Sequence, residues 1–218
     1  MALQHPKPVV FDGPAGKLEG LLGPPEHGAP EPRAVAVVCH PHPAGGGTMH
    51  NTVVYRVAKG LRSAGLAVLR FNFRGVEESE GEHDGEGLEE GDAEAAIDYL
   101  KSLYPDVPLW AGGFSFGSRQ IAGLAPRDAR IERTFFIALP VKVYECEPIA
   151  DVKQPGLLLF AGDDDFGTAA VLREKFPYLG ANLEVDEIPG TDHFFRGKTP
   201  ELEERVRAWA ARSLESTD

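Results

Sequence analysis

The chain has 218 residues, of which 42% are hydrophobic and 26% are charged, as in an ordinary globular protein. This length is sufficient for one domain with a substantial core, so we predict a single domain over residues 1–218. The 34 acidic residues outnumber the 22 Lys and Arg, and the resulting net charge of −12 disfavours partners such as nucleic acid or an anionic membrane surface.

The cysteines and the N-terminal sequence indicate where the protein is located. Only Cys39 and Cys146 are present, so no disulfide framework is expected. The opening MALQHPKPVVFDG lacks a basic segment followed by an apolar one, and no apolar run approaches the roughly 18 residues of a membrane span. We therefore expect a soluble, cytoplasmic monomer or homodimer.

The order of predicted elements indicates an α/β fold. Two extended segments, KPVVFDG and KLEGLLGPP, predict a hairpin at a sheet edge, and RAVAVVCH (33–40) is typical of a buried parallel strand. Later strands are predicted in GLAVLRFNF, VPLWAGGF, IERTFFIALPV, PGLLLFAGDD and NLEVDEIPG. Helices are predicted at residues 51–65, 88–105, 118–125, 169–177 and 200–215. This alternation predicts a mostly parallel sheet with helices on both faces.

The segment EESEGEHDGEGLEEGDAE (77–94) is rich in acids and glycines, which is typical of a mobile, solvated loop that runs into a helix. A Ca²⁺ site is the alternative, functional interpretation of this acidic segment, but no EF-hand spacing is present. We also expect Arg74 to pair with Asp92 and to hold the FNFRG loop against the acidic helix. His5, His27 and His83 lie in polar or Pro/Gly-rich segments and are expected to be solvated.

A candidate nucleophile lies in LWAGGFSFGSRQIAG (109–123), where Ser115 stands between Gly113 and Gly117. An apolar strand runs into this serine and a helical segment leads away from it. Gly-x-Ser-x-Gly at such a turn is typical of the nucleophile elbow of α/β-hydrolases, in which the serine backbone is strained and the glycines avoid steric clashes. Alone, the pattern is equally consistent with a glycine turn and a capping serine.

A serine nucleophile needs a base and an acid, which follow it along the chain in this class of fold. His193, in the turn after the last predicted strand, is the candidate general base. The preceding strand ends in Asp163, Asp164 and Asp165; we favour Asp165 as the residue that orients His193, and spacing leaves the other two open.

The loop CHPHPAGGGTMHN (39–51) follows the third predicted strand. In this fold, the loop after that strand supplies one N–H of the oxyanion hole. Pro41 and Pro43 have no N–H, so the backbone N–H of His42 is the candidate donor, together with that of Phe116 after the serine. His40 and His42 also resemble a pair of metal ligands, so a metallohydrolase is an alternative. No further ligands follow at a suggestive spacing, so we expect no metal and no cofactor.

The motifs CHPHPAGGGTMHNTVV, LRFNFRGVEESEG, GGFSFGS, GDDD and GTDHFFRG, in this order, resemble a bacterial family of small, lidless α/β-hydrolases related to the dienelactone hydrolases. The resemblance implies a Ser-His-Asp hydrolase with Ser115 as nucleophile, His193 as base and Asp165, the second Asp of a Gly-Asp-x-Asp pattern, as acid. The chain departs from the family pattern at Glu77 and at Phe166-Gly167. Dienelactone hydrolases use a cysteine nucleophile, so their substrate does not carry over.

The predicted function is hydrolysis of small or short-acyl carboxylic esters through an acyl-enzyme, with a small-molecule ester as the partner. The segment KVYECEPIADVKQP (142–155) is too short for a substantial lid, which indicates an open site. Phe114, Phe194 and Phe195 are predicted to line the pocket, although core packing is the stronger expectation for Phe114. A thioesterase or peptidase with the same triad, or a noncatalytic small-ligand-binding protein, remains the alternative.

Overall fold

The computed structural model describes residues 5–26, 31–83 and 87–216, and these residues form eight β-strands and five α-helices. The strands are β1 (Lys7–Gly13), β2 (Gly16–Gly23), β3 (Ala34–Cys39), β4 (Leu66–Phe71), β5 (Leu109–Phe114), β6 (Ile131–Ile137), β7 (Gly156–Ala161) and β8 (Leu183–Ile188). The helices are α1 (Thr52–Ala64), α2 (Glu89–Leu103), α3 (Phe116–Leu124), α4 (Ala169–Lys175) and α5 (Thr199–Glu215). Each predicted strand and helix is present, with its ends shifted by a few residues.

The strands form one sheet in the order β1-β2-β4-β3-β5-β6-β7-β8. The β1–β2 hairpin lies at the edge, as predicted, and β2 also pairs antiparallel with β4. All other pairs are parallel. The strands β3, β4, β5 and β7 are buried along their whole length, which explains why their sequences are apolar except for Arg70 in β4.

Helices cover both faces of the sheet because alternate side chains of each strand point to opposite sides. In β3, Val35 and Val37 belong to the core beneath α2, α3 and α4, whereas Ala36 and Val38 belong to the core beneath α1 and α5. On the second face, the ring of Trp110 packs against that of Trp209 in α5, with 5.3 Å between centroids. The result is a three-layered α/β arrangement.

The acidic segment is less solvated than the sequence predicted. In the first turn of α2, Glu89 and Asp92 are both fully buried. Asp92 accepts hydrogen bonds from the backbone N–H and the guanidinium of Arg74, which confirms the predicted pair. Residues 84–86 lie outside the described part of the chain.

The carboxyl ends of β3, β5, β7 and β8 meet at one edge of the sheet, where ligands bind in open α/β folds. The connection between β6 and β7, residues 138–155, contains a single short 3₁₀ helix at Glu147–Asp151, and no cap built from the described residues covers this edge. Within residues 5–26, 31–83 and 87–216, no helix is long and apolar enough to cross a membrane.

Candidate active site

Ser115 lies in the sharp turn between β5 and α3, with φ 55° and ψ −115°. A positive φ is uncommon for any residue other than glycine, so the backbone is strained at this position. The N–H of Ser115 donates to the carbonyl oxygen of Ile137 at 2.9 Å, which ties the turn to the neighbouring strand β6. These features are those of a nucleophile elbow.

The two glycines of the motif are required by close backbone contacts. A Cβ atom on Gly113 would lie 2.5 Å from the carbonyl carbon of Gly117, and one on Gly117 would lie 2.5 Å from the carbonyl oxygen of Cys39. The buried Ser118 hydroxyl further holds the turn, because it accepts the N–H of Ile137 at 3.0 Å and lies 2.6 Å from the carbonyl oxygen of Gly113. Sequence reasoning missed this second serine.

His193 connects Ser115 to a carboxylate. Its Nε2 lies 2.8 Å from Ser115 Oγ, and its Nδ1 lies 2.7 Å from Oδ2 of Asp164. A carboxylate only accepts hydrogen bonds, so Nδ1–H donates to Asp164, which leaves the lone pair on Nε2 facing the serine hydroxyl. All three side chains are largely buried. This is the geometry of a Ser-His-Asp triad.

The structure places Asp164, and not the predicted Asp165, in hydrogen-bond contact with His193. The second oxygen of Asp164, Oδ1, accepts the N–H of Phe166 at 2.8 Å, and the Gly167 N–H donates to the Asp164 carbonyl oxygen at 3.3 Å. This Asx turn directs the Asp164 side chain inward and leaves those of Asp163 and Asp165 exposed. Asp at the first and Gly at the fourth position of a turn is the sequence signal that would have selected Asp164.

The turn that carries His193 is stabilised by Asp192. Its Oδ1 accepts the N–H groups of Phe194 and Arg196, both at 3.1 Å, and its Oδ2 pairs with the Arg196 guanidinium at 2.6 Å. Phe195, at φ 53°, is fully buried in the core and anchors the turn from below. The imidazole of His193 is therefore attached to a well-connected turn.

The two residues that are predicted to supply the oxyanion donors, His42 and Phe116, have side chains in contact. The His42 ring packs against that of Phe116 with centroids 4.8 Å apart, which brings the loop after β3 close to the start of α3. In the described part of the chain, no acceptor pairs with the backbone N–H of His42 or Phe116. Burial and the nearby His83 lower the pKa of His42, while Glu89 opposes this.

Both ring nitrogens of His40 are used in hydrogen bonds within the protein. Nε2 accepts the N–H of Phe73 at 3.1 Å, so Nδ1 carries the proton and donates to the Pro41 carbonyl oxygen at 2.6 Å. Burial lowers the pKa of His40 to about 4. This geometry assigns His40 to shaping the loop. No group of three or more His, Cys, Asp or Glu residues suited to a metal ion occurs in the described ranges.

His83 is not solvated, contrary to the prediction. Its Nδ1 pairs with the fully buried carboxylate of Glu89, and its ring stands edge-on to that of His42 with centroids 4.9 Å apart. The pair of His83 and Glu89 supports the loop after β3 from the side of α2. His5 is exposed, and His27 lies outside the described residues.

A cavity of about 330 Å³ opens beside Ser115 and His193. Phe194 lines it and is 41% exposed, whereas Phe114 and Phe195 are fully buried and belong to the core, so only one of the three predicted pocket phenylalanines is in the wall. Sequence reasoning missed its other aromatic walls, Tyr144 and Phe166. The remaining lining comes from the loop after β3 and the start of α1: Pro41, His42, Gly45, Gly46, Gly47 and Asn51.

A family model described as an alpha/beta hydrolase domain matches residues 34–215. The chain belongs to the alpha/beta hydrolase family. It is 35% identical over 208 residues to an uncharacterized protein of Rickettsia prowazekii (strain Madrid E), with 91% of this chain and 86% of that protein covered. These findings confirm the predicted fold.

Two solved structures of this family are similar over nearly their whole length. An alpha-beta serine hydrolase homologue from Coxiella burnetii has a TM-score of 0.85 at 30% identity, covering 95% of this chain and 99% of that chain. XC6422 from Xanthomonas campestris, a serine hydrolase without lid, has a TM-score of 0.84 at 30% identity, covering 95% and 94%. Together they support a hydrolase without a lid; the relation to the dienelactone hydrolases stays a prediction.

Proposed function

We propose that this alpha/beta hydrolase cleaves small or short-acyl carboxylic esters with Ser115 as nucleophile, His193 as general base and Asp164 as the acid. The observation that carries the proposal is the continuous chain of hydrogen bonds from Ser115 Oγ through His193 to Asp164. It supports proton transfer because the serine hydroxyl faces an unprotonated imidazole nitrogen whose partner nitrogen is held by a carboxylate.

The first half of the reaction forms an acyl-enzyme. Ser115 Oγ attacks the ester carbonyl carbon while its proton passes to Nε2 of His193, and Asp164 stabilises the resulting imidazolium. The carbonyl oxygen becomes an oxyanion and accepts the backbone N–H groups of His42 and Phe116. The C–O bond to the alcohol then breaks, and the alcohol leaves with the proton from His193.

The second half returns the enzyme to its starting state. Water attacks the acyl carbon and gives a proton to Nε2 of His193, which then returns it to Ser115 Oγ as the acyl–serine bond breaks. The carboxylic acid is released and Ser115 recovers its hydroxyl. No redox step or added cofactor enters this sequence.

The shape of the cavity supports a small substrate. Its volume of about 330 Å³ lies at the lower end of the range of small-molecule sites, and Tyr144, Phe166 and Phe194 supply apolar walls for an acyl or alcohol group. The short β6–β7 connection leaves the cavity open to solvent, so a long acyl chain would find no cover.

The test is hydrolysis of p-nitrophenyl esters from acetate to decanoate by wild type, Ser115→Ala and the control Ser102→Ala, which removes an exposed serine of α2. We expect activity that is strongest on short chains, unaffected by EDTA, intact in Ser102→Ala and reduced by several orders of magnitude in Ser115→Ala. Equal activity in both serine variants would remove Ser115 from the mechanism.

Covalent labelling separates the alternatives. A fluorophosphonate should add one phosphonyl group to the wild type and to Ser102→Ala, but none to Ser115→Ala, as read by intact mass. Labelling without ester hydrolysis would favour thioesters or peptides on the same triad. Failure to label, together with no hydrolysis, would favour a binding protein, and loss of activity with EDTA would favour the metallohydrolase alternative.

A further inference from the structure

A second cavity, of about 320 Å³, lies between α1 and the strands β2 and β4. It shares no lining residue with the cavity at Ser115 and is nearly as large. Part of its wall is apolar, formed by Pro6, Leu21, Ala58 and Val68. The polar part of the wall is dominated by three cationic side chains, those of Lys59, Arg62 and Arg70, in a protein whose net charge is −12.

Arg70 is the most buried of these cations. The residue is only 7% exposed, its Nη1 donates to the Met49 carbonyl oxygen at 2.7 Å, and its guanidinium lies 5.6 Å from the centre of the Tyr55 ring. Within residues 5–26, 31–83 and 87–216, no carboxylate forms an ion pair with Arg70. Arg74 illustrates the usual arrangement, because its equally buried guanidinium faces Asp92.

The other two cations have carboxylates beside them. Arg62 lies 3.7 Å from Oε1 of Glu26 and donates through Nε to the carbonyl oxygen of Pro24. Lys59 pairs with Glu203 at 2.8 Å, but the same carboxylate also pairs with Arg56 at 2.7 Å. Among the described residues that line the cavity, three side chains are cationic and one, that of Glu26, is a carboxylate.

The electrostatics agree with this imbalance. Burial lowers the pKa of Arg70, and the charge of the nearby Arg62 lowers it further. Burial also lowers the pKa of Arg62, although Glu26 opposes the change. A guanidinium remains charged in proteins, so Arg70 stays cationic although it is poorly solvated, and an anion in the cavity would stabilise it.

We propose that this cavity is a second binding site, for a small molecule that carries a carboxylate or phosphate group. The oxyanion contacts Arg62 and Arg70, whose planar guanidinium groups match the geometry of such oxygens. Lys59 adds charge at the side of α1, and the apolar remainder of the ligand packs against Leu21 and Val68. The site is independent of the ester hydrolysis proposed above.

The test is isothermal titration calorimetry at constant ionic strength with phenyl phosphate and benzoate as probes and benzamide as the uncharged control. We expect saturable binding of at least one of the anions, with one site per chain and a dissociation constant of about 1 mM or tighter. Benzamide should show no saturable binding. Arg70→Met should weaken anion binding by about tenfold or more, whereas Arg207→Met, which removes an exposed cation of α5, should not.

A second variant keeps all three cations and fills the cavity. Leu21 is the cross-strand partner of Arg70 in the β2–β4 pair and lines the cavity, so Leu21→Trp should block the ligand sterically. We expect binding to be lost while fluorophosphonate labelling of Ser115 is unchanged. The proposal would be overturned if wild type showed no saturable binding. It would also be overturned if Arg70→Met and Leu21→Trp bound the anions as strongly as wild type does. Neither outcome depends on ester hydrolysis.

Discussion

Asp164 Oδ2 lies 2.7 Å from Nδ1 of His193, whereas the side chain of the next residue, Asp165, is exposed and forms no hydrogen bond with that ring. Only Asp164 therefore fixes the tautomer that presents the Nε2 lone pair to Ser115. Asp164→Asn should lower kcat by up to about 10⁴-fold, because the neutral amide cannot stabilise the imidazolium and disturbs the tautomer.

The matched control is Asp165→Asn, which makes the same chemical change one residue later. Its kcat for p-nitrophenyl acetate should remain near that of wild type. Steady-state kinetics of the two variants, with circular dichroism to verify folding, distinguish the two carboxylates. A large loss in Asp165→Asn with little loss in Asp164→Asn would restore the acid that the sequence favoured.

The elements and two of the three residues in the candidate triad could be predicted because their signals are local. Continuous apolar runs mark buried strands, and the glycines around Ser115 reflect backbone contacts that are the same wherever this turn occurs. The acid is different, since β7 is followed by three aspartates with identical chemistry. Which one turns inward depends on the Asx turn and on where β8 places His193, and these are tertiary relationships.

The prediction of the pocket phenylalanines was wrong for two of the three residues, and the reason is similar. Phe194 and Phe195 are adjacent and chemically alike, yet Phe195 is fully buried while Phe194 is 41% exposed in the cavity wall. His83 looked solvated in its acidic sequence, but the fold places the buried Glu89 beside it. Sequence polarity does not reveal such burial, because it depends on which helix packs over the loop.

Phe166 lies against the candidate base, with its ring 4.4 Å from that of His193 between centroids and an interplanar angle of 29°. It is 38% exposed and forms one wall of the cavity. Phe166→Ala should lower kcat/KM for p-nitrophenyl butyrate by about five- to tenfold through lost apolar contact.

Phe166→Leu should recover most of that loss, since leucine retains an apolar wall. Tyr178→Ala, which removes a side chain of a residue that is 97% exposed, serves as the surface control. The comparison requires kcat and KM for acetate and butyrate esters. A uniform rise in activity on every ester in Phe166→Ala would indicate that the ring obstructs the entrance.

We expect His40 to make the free energy of unfolding depend on pH. Its pKa is lowered by burial from 6.5 to about 4, so the unfolded chain binds a proton in a range where the folded chain does not. The stabilisation is complete above pH 6.5 and is lost as the pH falls towards 4. Between pH 6.5 and 5 this single group should cost about 2 kcal/mol of the free energy of unfolding.

His40→Gln tests this effect, because its amide can donate and accept hydrogen bonds without titrating. Urea unfolding at pH 7 and pH 5 should show a smaller fall in the free energy of unfolding for the variant than for wild type. His5→Gln, at an exposed position, should retain the full wild-type fall. An equal pH dependence in wild type and His40→Gln would mean that His40 does not control acid stability.

The pair Arg74 and Asp92 joins the loop after β4 to the first turn of α2, and both side chains are largely buried. Asp92→Ala should lower the free energy of unfolding by about 3–5 kcal/mol, since it leaves the buried guanidinium of Arg74 without its counter-charge. Glu204→Ala, which breaks the exposed pair with Arg207, should leave the free energy of unfolding close to that of wild type.

The double variant Arg74→Met/Asp92→Leu separates the cost of a stranded charge from the value of the pair itself. It should be more stable than Asp92→Ala, because two apolar side chains replace both charges and no buried ion remains without a partner. Urea unfolding midpoints and slopes of the three variants measure this difference. If Asp92→Ala unfolds at the wild-type midpoint, the pair does not hold the loop against α2.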